Sequence, residues 1–255
     1  MILGRITKHV KDQNWFAVGL DFFIVVLGIL IAFQITNWSE ARKERVLEVA
    51  YMERLHKEVM DLEFVREGLV FQRQKAAINL RDALTKLVDS DGGKLTPAEC
   101  HYLAHNPPTS NPTDDLPLII ELLSSGRFAI FTNKDVEKAL GDYLITRNRA
   151  RDSRSGVVAD IPNLDENYPH LYEIRGSLAG FWANVDEPTE EFFAALPVTC
   201  DEDGMRANQA YLNELAYFES NFHYHTRDNR NVSRALAELH SILDGILGIE
   251  HEETR

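Results

Sequence analysis

Phe16 to Trp38 reads FAVGLDFFIVVLGILIAFQITNW, a nearly continuous apolar run whose one acidic side chain is Asp21. As a helix, its 23 residues rise about 34 Å, enough to cross a hydrocarbon core about 30 Å thick. Trp15 and Trp38 stand at its ends, where aromatic side chains gather at a lipid–water boundary. The run therefore reads as a membrane helix. A cleavable signal peptide would have a shorter apolar region and a small-residue cleavage site, whereas this run ends in Gln34, Thr36, Asn37 and Trp38. It is an uncleaved signal anchor on this reading. Gln34, Thr36 and Asn37 face headgroups or hydrogen-bond across paired helices, the first arrangement being favoured.

Working outward, the expected organisation is a tail over residues 1–14, a transmembrane helix over 15–39 and one helical domain over 40–255. Arg5, Lys8 and Lys11 precede the span, and Arg42, Lys43, Arg45, Arg54 and Lys57 follow it, so basic residues alone do not orient it. Long domains translocate largely regardless of charge, which places the short N-terminal tail in the cytoplasm and the large domain outside.

No proline occurs between Met1 and Pro97. Past the membrane, Met52, Leu55, Val59, Leu62, Val65, Leu69, Ala76, Leu80, Leu84 and Leu87 recur at spacings of mainly three and four. That is the mark of a helix with one buried stripe, so a single helix is expected from Trp15 to Val88. Asp89 to Gly93 stop it. A second proline-free stretch, Met205 to Leu247, carries Leu212, Leu215, Phe218, Phe222, Leu236, Leu239, Ile242, Leu243 and Ile246. Two long helices joined by a compact insert bury their stripes by lying antiparallel. The expected fold class is thus all-α: one N-terminal transmembrane helix continuing into a long antiparallel helical bundle.

Within the insert, Thr96, Pro97 and Glu99 form a capping box that opens a short helix to His105. Asn106 to Pro112 reads as a loop and Asp114 to Ser125 as a buried helix ended by a left-handed Gly126. Asn133 caps a helix to Ala159 with Val136, Leu140, Tyr143 and Leu144 on one side. Helices are expected from Pro162 to Ala179 and Pro188 to Ala195, and no alternating segment suggests a sheet. The antiparallel arrangement makes Cys100 and Cys200 neighbours. In an oxidising compartment they would pair, closing a loop of about a hundred residues and contributing about 2–4 kcal/mol.

Val25 to Ala32 reads VVLGILIA and is followed by Asn37-Trp38-Ser39-Glu40-Ala41-Arg42. This resembles the opening of a family of single-span bacterial inner-membrane proteins built on a domain of unknown function, which share VVxGILIA, then NWxExR, and an acidic residue at the place of Asp21. Glu121 to Gly126, Asn133 and Ala139 to Tyr143 also resemble that family's pattern. The resemblance implies the bacterial inner membrane, with the large domain in the periplasm, and implies no mechanism.

With 27 basic and 40 acidic side chains, the chain carries a net charge of -13. Such a surface repels phosphate backbones, which excludes nucleic acid as a partner. Arg147, Arg149, Arg151 and Arg154 read as a solvated helix face. No nucleophile elbow or phosphate loop occurs, since Ser124-Ser125-Gly126 lacks the first glycine and the strand such an elbow needs. His101 and His105 lie four apart on one helix face and are the weak metal candidates, short of a third ligand. His223 and His225, two apart, point to opposite sides. No cofactor is indicated.

Asp21 remains as the intramembrane functional candidate, because a carboxylate within an apolar span is costly. The expected function is a non-enzymatic, membrane-anchored sensor, scaffold or docking subunit of the cell envelope. Its partners are the lipid bilayer, an envelope protein and, since long helices anchored in one plane often pair, a second copy of the chain. The alternative is an auxiliary subunit of an ion-coupled membrane complex that uses Asp21.

Overall fold

The computed structural model describes residues 15–89, 92–105, 107, 113–159, 161–174 and 198–251. The chain divides into two compact units, Met1–Tyr51 and Met52–Arg255. Helix α1 spans Trp15–Val88 without a break at Trp38. Its apolar segment is long and apolar enough to cross a membrane, and none of it is buried against protein. Phe22, Phe23, Ile24, Leu30, Ile31, Phe33 and Ile35 all stand exposed. A soluble core helix would hide such residues.

In the second unit, the remainder of α1 is joined by α2 (Pro97–Ala104), α3 (Pro117–Ser124), α4 (Lys134–Ala159), α5 (Leu164–Asn167), α6 (Glu202–Ala207) and α7 (Gln209–Leu247). Among the described residues the fold is all-α apart from one pair of three-residue strands, with the C-terminal helix packed on the long N-terminal one. Three side-chain contacts fix their sense: His56 meets Asp244, Arg66 meets Asn229 and Arg81 meets Glu219. Ascending positions on α1 meet descending ones on α7, so the pair is antiparallel. Leu55, Val59 and Leu80 of α1 and Leu215, Phe218, Phe222, Leu236, Leu239 and Leu243 of α7 are fully buried. Each such side chain contributes about 1.5–3 kcal/mol. Helix α4 packs on α7, and its Val136, Ala139, Leu140 and Tyr143 are buried.

The stripe departs from expectation at its centre. Val65 is exposed and Leu69 only half-buried, while Arg66 and Arg73 are almost wholly buried. The reason lies opposite, where α7 turns polar and buries His225, Thr226 and Asn229. Arg66 donates from Nη2 to the Asn229 carbonyl at 3.0 Å and from Nε to Ser233 Oγ at 3.2 Å. A polar layer thus divides two apolar ones.

The ends are capped as the sequence indicates. Thr96 and Glu99 close the capping box of α2, and the Glu99 carboxylate accepts from Lys86 Nζ at 2.7 and 2.8 Å. Gly126 and Gly248 adopt positive φ after their helices. Leu116 offers α3 no side-chain cap, and Glu58 Oε2 of α1 accepts the Leu118 N–H at 2.8 Å instead. Arg206 of α6 donates to the Lys86 and Gly93 carbonyls and so closes the C-terminal end of α1.

Several expectations are corrected. The helix expected from Pro162 shrinks to α5, because Pro169 lacks an N–H and disfavours helix at Tyr168. The chain then forms β1 (Tyr172–Ile174), which pairs antiparallel with β2 (Val198–Cys200), Tyr172 opposite Cys200. Strands this short carry too little alternation to be legible. The expected helix from Met205 is interrupted at Asn208, whose side chain accepts from the Tyr211 N–H and starts α7 anew. Asp114 to Leu116 precede α3 rather than belong to it. Arg147 and Arg151 are ion-paired rather than simply solvated: Arg147 donates to Asp115 at 3.1 Å, and Arg151 to Asp114 and Asp115. The helix expected over Pro188 to Ala195 and most of the loop expected over Asn106 to Pro112 lie outside the described residues.

Candidate metal centre

Three segments of the second unit converge on one point. His56 projects from α1 beside the fully buried Leu55. His240 and Asp244 lie one turn apart on α7, flanked by the fully buried Leu239 and Leu243, so packing fixes both backbones. His251 arrives from beyond the helix. Gly248 ends α7 in the left-handed conformation, φ 67°, with its N–H and that of Ile249 donated to the Asp244 carbonyl. A side chain there would be strained, and the turn it permits brings the chain back toward Asp244.

One ligand atom from each residue, nitrogen from the imidazoles and oxygen from the carboxylate, lies within 4.8 Å of the other three. The His56 Nε2 to Asp244 Oδ1 distance is 2.7 Å, His251 Nε2 to Asp244 Oδ1 is 3.0 Å, and His240 Nε2 lies 3.1 Å from His56 Nε2 and 3.5 Å from Asp244 Oδ1. In a tetrahedral zinc site with bonds of about 2.0–2.1 Å, neighbouring ligand atoms stand about 3.3–3.4 Å apart. The separations bracket that value, so small side-chain movements would seat a single small ion among the four donors. His240 Nδ1 lies 2.6 Å from Glu63 Oε2 of α1. With the Nδ1–H tautomer donating to that carboxylate, the Nε2 lone pair is left aimed at the cluster, the outer-shell arrangement that orients metal-bound histidines.

Burial pushes the Asp244 carboxyl up, yet hydrogen bonds from His251 and His56 and the nearby His240 outweigh it, holding the group below its ordinary value. An anionic oxygen among three imidazoles suits a borderline cation such as zinc, cobalt(II) or nickel(II), and the lack of thiolate disfavours softer ions.

The sequence-chosen residues fare differently. His101 and His105 do stack, ring centroids 4.8 Å apart, but among the described residues they gather no third ligand. Cys100 and Cys200 stand at disulfide distance, sulfurs 2.06 Å and Cα atoms 5.8 Å apart. Asp21 belongs to α1, and its side chain lies outside the described residues. His223 is half-buried with Nδ1 2.8 Å from Arg81 Nη2, while His225 is fully buried. The candidate cluster of His56, His240, Asp244 and His251 was missed. Its one local signal is the His240-x-x-x-Asp244 spacing, and His56 becomes its partner only once the register of α1 against α7 is known. No protein-family profile, curated protein or solved structure matches the chain.

Proposed function

We propose that this chain is a bacterial inner-membrane protein, anchored by the Phe16 to Trp38 segment with its N-terminus in the cytoplasm, whose periplasmic helical domain binds one divalent ion of the zinc class. It works as a non-enzymatic, metal-responsive sensor or docking subunit for another envelope component. The observation that carries this reading is the convergence of His56, His240, Asp244 and His251 within 4.8 Å. Four protein donors leave a tetrahedral ion no open position, the mark of a structural rather than a catalytic site. The exposed apolar segment supports the anchor. The cysteine pair at disulfide distance supports an oxidising compartment.

Metal analysis of the full chain, purified in detergent and dialysed against zinc, tests the proposal. One ion per chain is expected, with loss of that ion in His240→Ala and an affinity about 10- to 100-fold weaker in Glu63→Gln. Helicity measured by circular dichroism shows that the variants remain folded. Absence of zinc from the wild type, or equal zinc in His240→Ala, would discard the proposal.

A further inference from the structure

Within the cluster, taken as the metal centre proposed above, one of the four ligands differs from the others in how it is held. His56, His240 and Asp244 are fixed by packed helices, and Glu63 orients His240. His251 lies in irregular backbone three residues beyond the left-handed Gly248. Its side chain is 43% exposed, against 9% for His56. Its hydrogen bond is to Asp244 Oδ1, an atom that also accepts from His56, and its ring otherwise rests on the imidazoles of His56 and His240. Withdrawing it therefore exposes no apolar core and breaks no helix.

We infer that His251 is an exchangeable ligand whose withdrawal opens one coordination position for an external imidazole-class nitrogen donor. With His251 docked, the ion has four protein donors and is closed. With His251 away, His56, His240 and Asp244 retain the ion, as two imidazoles and a carboxylate do in open zinc sites, and water fills the fourth position until a nitrogen donor replaces it. The exchange forms one metal–nitrogen bond and breaks another, with no change in oxidation state. The C-terminal segment would thus report on, and compete with, whatever brings the donor.

Cobalt(II), whose visible absorption depends on its coordination, is the probe. The full chain in detergent is loaded with cobalt alone and titrated with imidazole, alongside His251→Ala and His240→Ala. The inference expects one cobalt per chain in both the wild type and His251→Ala, with different spectra. It further expects imidazole to shift the His251→Ala spectrum saturably and to carry the wild-type spectrum to the same end point at higher concentrations, where it displaces His251; a wild type that imidazole never shifts would show His251 fixed and overturn the inference. His240→Ala should hold no cobalt. Identical wild-type and His251→Ala spectra would show that His251 is no ligand. Loss of cobalt from His251→Ala would show that it is indispensable rather than exchangeable. Either result overturns the inference while leaving the metal centre standing, whereas a wild type that binds no cobalt ends both.

Discussion

His101 shows how a residue chosen from sequence for one chemistry carries another. Its place beside His105 on α2 suggested a ligand pair, but its burial, with His105 second, lowers its pKa to about 4. In the unfolded chain a histidine titrates near 6.5. Between those values the unfolded chain binds a proton that the folded one refuses, so stability is fully present above about pH 6.5 and is lost as pH falls toward 4. Denaturant unfolding at pH 7.5 and pH 5 is expected to show this decline in the wild type and a smaller one in His101→Asn. An equal decline in both would assign the acid sensitivity to other groups. Spacing identifies which residues share a face, but burial comes from what packs upon that face.

At the scale of elements, α1 and α7 were legible because proline-free stretches with three-four spacing can do little else, and α2 because its capping box is a local code. The polar layer between them was not. Apolar positions Val65 and Leu69 fit the spacing as read, yet the helix turns Arg66 and Arg73 inward, and only the polar side chains of α7 explain why that is tolerated. Burial lowers the Arg66 pKa, opposed by the neighbouring Tyr143 and Asp114. Taking a guanidinium out of water is costly, and apolar replacements of similar length at such sites are often neutral or stabilising by about 1–4 kcal/mol. Arg66→Met is therefore expected to unfold at the same or higher denaturant concentration than the wild type. A loss of more than about 3 kcal/mol would mean that the buried charge holds the layer together by more than its two hydrogen bonds to α7. The metal cluster escaped for the same reason as the layer: His56 and His240 are 184 positions apart, and only inter-helix register joins them.

At the scale of the whole molecule, the proposed ion would give the second unit a clasp at one end to match the cysteine pair at the other. The His56, His240, Asp244 and His251 cluster ties α1 to the end of α7, while the Cys100–Cys200 pair joins α2 to β2 just past the other end of α1. His56 to Val88 is about 48 Å of helix at about 1.5 Å per residue. A zinc-class ion held at a free concentration about 100 times its dissociation constant stabilises the fold by about 2.7 kcal/mol. Closing a loop of about a hundred residues with a disulfide contributes about 2–4 kcal/mol. Sites so far apart and sharing no partners act independently, with losses that add within about 0.5 kcal/mol. Removing zinc with a chelator, replacing both cysteines by serine, and doing both together are therefore expected to lower unfolding free energy by two separate amounts and their sum. The cysteine variant avoids thiol reductants, which would themselves bind the metal. A combined loss well above the sum would show that each clasp holds a fold the other cannot hold alone, and that the polar layer at Arg66 and Arg73 transmits strain between the ends instead of separating them.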